Sequence, residues 1–158
     1  VTPIPFFAQE RPESCVPACL RMILATFNVV KSETEIYSCC QTDIDGTLPS
    51  AAVECAASFG FDARTLRLDG LESLQARLQE LNSRTILFVN LASLIGVNVI
   101  HAVVLRSLDV QRNQIQILDP AFPPQGERVW SLDQFQLAWR AARYQTILIL
   151  PPKESVAA

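Results

Sequence analysis

Residues 9–22 read Gln-Glu-Arg-Pro-Glu-Ser-Cys-Val-Pro-Ala-Cys-Leu-Arg-Met, "QERPESCVPACLRM". A loop rich in charge and proline runs into a cysteine, and an apolar run begins at once. Val16, Cys19, Leu20, Ile23, Leu24 and Phe27 recur at the spacing of one helix face, which predicts a helix from Cys15 to about Phe27. Pro17 falls in its first turn, where a missing N–H costs nothing. Cys15 therefore stands at a helix N-terminus. Unpaired N–H groups and the positive end of the helix dipole favour a thiolate at such a position.

Working outward, Ser32 is a cap with Glu35 three residues on, and predicts a second helix to about Cys40. Thr47 is the expected cap of a third, with Pro49 in its first turn and Gly60 as its stop. After Gly60 the period changes. "FDARTLRL" (61–68), "TILFVNL" (85–91), "NVIHAVVLRSL" (98–108), "QIQILD" (114–119) and "YQTILIL" (144–150) read as strands. "LESLQARLQEL" (71–81) reads as an amphipathic helix, and Ser131 caps another through Arg140. Helices first and strands later predict an α+β fold, with a helical half over about 1–60 packed on an antiparallel sheet half over about 61–151.

At 158 residues and 49% hydrophobic content, one domain spanning 1–158 with a substantial core is expected. A net charge of −3 and the lack of any Lys/Arg run argue against a nucleic-acid partner. The twenty-residue stretch 86–105, "ILFVNLASLIGVNVIHAVVL", has the length of a membrane span. Its β-branched content, with Asn90, Gly96, Asn98 and His101 interrupting, instead predicts two buried strands and a short connection, with no membrane insertion. The N-terminus lacks the pattern of a secretory signal. Five cysteines without framework spacing are read as reduced thiols in a cytoplasmic setting. Cys39, Cys40 and Cys55 are read as core or helix-end residues rather than metal ligands, and "QTDIDGT" (41–47) as a plain turn rather than a calcium loop. Neither a metal nor any other cofactor is implied.

The chain has one histidine, His101, on a strand where Val99, Val103 and Leu105 are expected to share its face. Asp119 ends the next strand, at "ILDP", where it can orient an imidazole. Gln9 lies six residues before Cys15 and offers a side-chain amide for a developing oxyanion. A thiol at a helix start, a base on a later strand and a carboxylate on the next are the parts of nucleophilic acyl transfer.

Through "QERPESCVPACLRMIL" (9–24), "IHAVVL" (100–105), "ILDPAF" (117–122) and, more weakly, "WSLDQFQLAW" (130–139), the chain resembles a known family. These are the papain-like bacteriocin-processing peptidases that form the N-terminal domain of peptide-exporting ABC transporters and cut leaders after a double glycine. The resemblance implies a papain-like cysteine peptidase fold, with Cys15 as nucleophile, His101 as general base and acid, Asp119 as orienting carboxylate and Gln9 as oxyanion donor. It further implies the leader of a precursor peptide as substrate and an ABC transporter as partner. Family members usually carry Asp before the cysteine and Gly after it, where this chain has Ser14 and Val16. Two other functions fit the same sequence: a catalytically silent module that only recognises the exported peptide, and a papain-like protease or amide hydrolase with a different target.

Overall fold

A computed structural model describes residues 3–80 and 82–152. Its elements run α1 (Cys15–Thr26), α2 (Glu33–Cys39), α3 (Pro49–Ser58), β1 (Asp62–Arg67), α4 (Leu71–Leu78), β2 (Arg84–Asn90), α5 (Ala92–Ile95), β3 (Ile100–Asp109), β4 (Gln114–Leu118), β5 (Glu127–Ser131), α6 (Leu132–Ala141) and β6 (Gln145–Leu150). The strands form one sheet in the order β1-β6-β2-β3-β4-β5, with every pairing antiparallel.

Strand alternation builds two cores from this sheet. Ile86, Phe88, Ala102, Val104, Leu118, Ile147 and Ile149 face one way and pack with α1, α2 and α3. Leu87, Val89, Val103, Leu105, Ile115 and Ile117 face the other way, onto Leu74 of α4 and Phe135, Ala138 and Trp139 of α6. The expected division into a helical half and a sheet half holds for α1–α3, while α4 and α6 cover the far face. The double cover explains why the strands read as near-continuous apolar runs.

α1 is buried on almost all sides, from Val16 to Leu20 and from Met22 to Leu24, because it lies between the sheet and the other two N-terminal helices. It ends at Thr26, with Phe27 as its C-cap and Asn28 at positive φ, and Val29 N–H closes back on Leu24 O at 3.0 Å. Ser32 and Ser131 cap α2 and α6 as expected, accepting from Glu35 N–H and Gln134 N–H, each at 3.1 Å. Gly60, at φ +92°, terminates the turn after α3. Asp43–Gly46 is a tight turn closed by two backbone hydrogen bonds. The twenty-residue apolar stretch is β2 and β3, paired antiparallel and joined through residues 91–99. Among the described residues, no helix is long and apolar enough to cross a membrane.

Three expectations need correction, and one strand went unread. Cys39 and Cys55 form a disulfide joining α2 to α3, so only Cys15, Cys19 and Cys40 are free thiols. The two lie 16 residues apart on different helices, and their approach is a product of packing that spacing cannot show. Thr47 does not cap α3. Its hydroxyl bonds that of Thr42 at 2.7 Å, and Leu48 is the N-cap residue, without a side-chain bond. β5 has no counterpart in the sequence reading, because its alternation is only five residues long and runs straight into the Ser131 cap. Val99 precedes β3 and is exposed, leaving only Val103 and Leu105 as buried residues in phase with His101. Of the amphipathic helix expected over 71–81, α4 accounts for Leu71–Leu78, and residue 81 lies outside the described residues.

Candidate active site

Cys15 is the first residue of α1, so its backbone N–H has no acceptor within the helix. The helix is registered on the sheet one turn further on. Cys19, four residues after Cys15 and on the same helix face, donates its S–H to Ala102 O at 3.5 Å. Burial holds the Cys19 thiol well above its ordinary range, with the charges of Cys15 and Asp119 adding to the effect, so it remains a protonated donor. Ala102 adjoins His101, and this one contact therefore brings the start of α1 to the start of β3. Cys15 is only partly buried, while Cys19 and Cys40 are inaccessible; burial pushes the Cys40 thiol up to about 12.

His101 and Asp119 meet through sheet register. β3 and β4 pair Val104 with Leu118, so one step further Asp119 falls beside Val103 and diagonally across from His101. His101 Nε2 lies 2.7 Å from Asp119 Oδ1, both residues being buried. That leaves Nδ1 as the ring nitrogen available to Cys15, which lines the same cleft. Burial alone would lower the His101 pKa. The bonds to Asp119 and Cys15 and the charges of both outweigh it and raise the value to about 9. For Asp119 burial acts upward, and it is overcome by the bond and charge of His101, the Ala121 N–H and the Arg128 guanidinium, so its carboxyl lies below its ordinary range. The pair is thus poised as carboxylate and imidazolium across neutral pH.

Gln9 arrives on an N-terminal strap. Its backbone N–H donates to Pro120 O at 2.9 Å, just past Asp119, and Gly126 in the same loop leaves room for the Phe6 ring, which a Cβ would overlap. The Gln9 Nε2 donates to Arg11 O at 2.9 Å and Pro12 O at 3.1 Å, and its Oε1 is buried without a partner. The four residues singled out in the sequence line a single cleft of about 480 Å³. Ile44, Asp45 and Gly46 of the α2–α3 turn also line it, as do Leu91, Ile95, Val99 and Ile100.

Two contributors escaped the sequence reading. Glu33, at the start of α2, is buried and takes Glu10 N–H on both carboxylate oxygens at 3.0 and 3.1 Å. It clamps the loop that leads into Cys15. Burial raises its pKa, against the pull of those bonds and of the Arg21 charge. Arg128, on β5, donates to Asp119 Oδ2 at 3.3 Å. A charged residue in the first turn of a capped helix looks like ordinary dipole chemistry, and Arg128 sits on the strand that went unread; neither carries a distinctive local signal.

The order of parts along the chain, a thiol on the central N-terminal helix facing an imidazole and a carboxylate on adjacent antiparallel strands, defines a papain-like cysteine peptidase architecture. The chain belongs to the peptidase C39 family, whose model matches residues 3–155, and it is a cysteine peptidase. Its fold is similar to the peptidase domain of Streptococcus ComA, a bi-functional ABC transporter involved in quorum sensing. That comparison gives a TM-score of 0.74 at 21% identity over 94% of this chain and 99% of that one. It is also similar to a double glycine motif protease from an AMS/PCAT transporter, solved in complex with the leader peptide (TM-score 0.72, 20% identity, 95% and 93% coverage). A C39-like peptidase from Bacillus anthracis matches at a TM-score of 0.74 with 14% identity, over 96% of each chain. No curated protein gives a significant match.

Proposed function

We propose that this domain removes leaders from ribosomally made precursor peptides, cutting after a Gly-Gly type junction, with Cys15, His101, Asp119 and Gln9 as its machinery. The observation that carries the reading is the 2.7 Å bond between His101 Nε2 and Asp119 Oδ1, which leaves the opposite ring nitrogen to the half-buried Cys15 at the head of α1. Membership of the C39 family, and likeness to a protease solved with a leader peptide, supply the substrate class.

In this mechanism the Cys15 thiolate attacks the scissile carbonyl carbon, and the C=O electrons move onto oxygen. The Cys15 backbone N–H and the Gln9 amide receive that oxyanion, Nε2 exchanging one of its two backbone carbonyls for it. Collapse breaks the C–N bond while the His101 imidazolium gives its proton to the departing amine. Water then attacks the thioester, giving its proton to His101, and the leader leaves as a carboxylic acid with the sulfur restored. Asp119 keeps one ring nitrogen bonded throughout, so the imidazole presents the other to the sulfur.

The setting in this proposal is the cytoplasmic face of a membrane beside an ABC transporter. The Cys39–Cys55 disulfide favours a second reading of compartment, an oxidising one outside the cytoplasm. The central test is Cys15→Ala. It should abolish cleavage of a synthetic precursor with a Gly-Gly junction while leaving the circular dichroism spectrum and melting temperature unchanged. Undiminished turnover by that variant removes the mechanism. Precursors with Gly-Ala and bulkier junctions test the substrate class separately, since equal cleavage of all three contradicts double-glycine selection.

A further inference from the structure

Asp119 uses its two oxygens unequally. Oδ1 accepts from both His101 and the Ala121 N–H, the latter at 2.9 Å, whereas Oδ2 has Arg128 as its one side-chain partner among the described residues. A carboxylate fixed at one oxygen can still swing about the bond to its ring of partners; a second bond at the other oxygen fixes its plane. The arginine is itself held, with its guanidinium 4.6 Å from the centroid of Phe122 and 5.9 Å from that of Trp130. Such rings restrict a planar cation and leave its N–H edge directed outward. Arg128 also lines the cleft, so it joins the strand β5 to the chemistry on β3 and β4.

We propose that Arg128 is a positioning residue, which acts on the Cys15–His101 pair by fixing the plane and charge of Asp119. The proposal rests on the Cys15–His101–Asp119 reading above. Arg128 touches neither reacting atom in this arrangement, and its effect passes through the carboxylate.

The test is the rate of Cys15 alkylation by iodoacetamide at about pH 6, read by peptide mass mapping, which needs no knowledge of the peptide substrate. At that pH reaction depends on the thiolate that the imidazolium sustains. Arg128→Gln should slow alkylation roughly three- to tenfold, the scale of losing one charge-assisted bond at a partly exposed site. Arg128→Lys, which keeps the charge and the strand's packing, should recover part of that loss. Asp119→Asn should slow it further, and Asp119→Asn with Arg128→Gln should match Asp119→Asn alone, because a residue acting through the carboxylate has nothing left to act on. Wild-type reactivity in Arg128→Gln overturns the proposal, and so does no recovery in Arg128→Lys. The same factor of slowing in the Asp119→Asn background overturns it too, since the arginine would then act independently. Wild-type reactivity in Asp119→Asn instead sinks the catalytic reading beneath it.

Discussion

Asparagine at position 119 would keep the shape of the carboxylate and remove the charge that stabilises the imidazolium. The size of the effect follows from the burial of His101, whose exposure is 8%. Burial pulls the histidine down from its ordinary 6.5, and the hydrogen bonds and charges of Asp119 and Cys15 carry it up to about 9. At about 1.4 kcal/mol per pH unit, that rise corresponds to roughly 3 kcal/mol of preference for the protonated ring. Because the folded value lies above the unfolded one, this contribution is fully present below about pH 6.5. It is lost as pH rises through about 9. The chain has one histidine, so a titration of the ring nitrogens by NMR reads His101 without assignment. The wild-type midpoint should fall near 9, and Asp119→Asn should lower it by about two pH units or more, since burial then opposes only Cys15. Urea unfolding should show the same balance: a wild-type loss on the order of 3 kcal/mol from this group between pH 6.5 and 9.5, and a flatter profile in the variant. A midpoint in Asp119→Asn within about half a pH unit of wild type would refute the assignment of the raised pKa to this carboxylate.

Other outcomes follow from named contacts. Gln9→Ala should lower kcat about 100-fold on a Gly-Gly precursor with KM little changed, as expected for a donor used mainly in the transition state; an effect confined to KM contradicts that role. Glu33→Ala strands the Glu10 N–H that the buried carboxylate accepts, so unfolding should become easier by about 2 kcal/mol and the melting temperature should fall roughly 4–8 °C in a scanning calorimeter. Replacing Cys39 and Cys55 together by Ser opens the link between α2 and α3 and should cost about 3 kcal/mol in denaturant titrations of the oxidised protein. Equal stability of the two forms would mean that packing alone holds the helices together.

Several features were legible because they are local. The apolar period from Val16 to Leu24 marked α1, and the serines at 32 and 131 marked two helix starts by a side-chain oxygen three residues before the N–H it accepts. Gly60 marked a helix end through its positive φ. Thr47 misled for an equally physical reason: a hydroxyl that could cap a helix found a neighbouring hydroxyl at Thr42 instead. The short β5 lacked the length to show a period, and with it went Arg128.

What the sequence alone determined is the chemistry available and its placement along the chain: one thiol at the mouth of a helix, one imidazole on an apolar strand, one carboxylate at the end of the next, and an amide six residues before the sulfur. Those placements depend on periodicity and on local backbone bonding, which act over a few residues. Only the tertiary structure decided that Cys19 would seat α1 against Ala102, that the β3–β4 register would bring Asp119 to His101, and that Cys39 would reach Cys55. It also decided that Glu33 and Arg128 would serve the site from elements far off in the chain. Distances between such groups are set by how whole faces pack, and that packing is a sum over the entire core that no short stretch of residues contains.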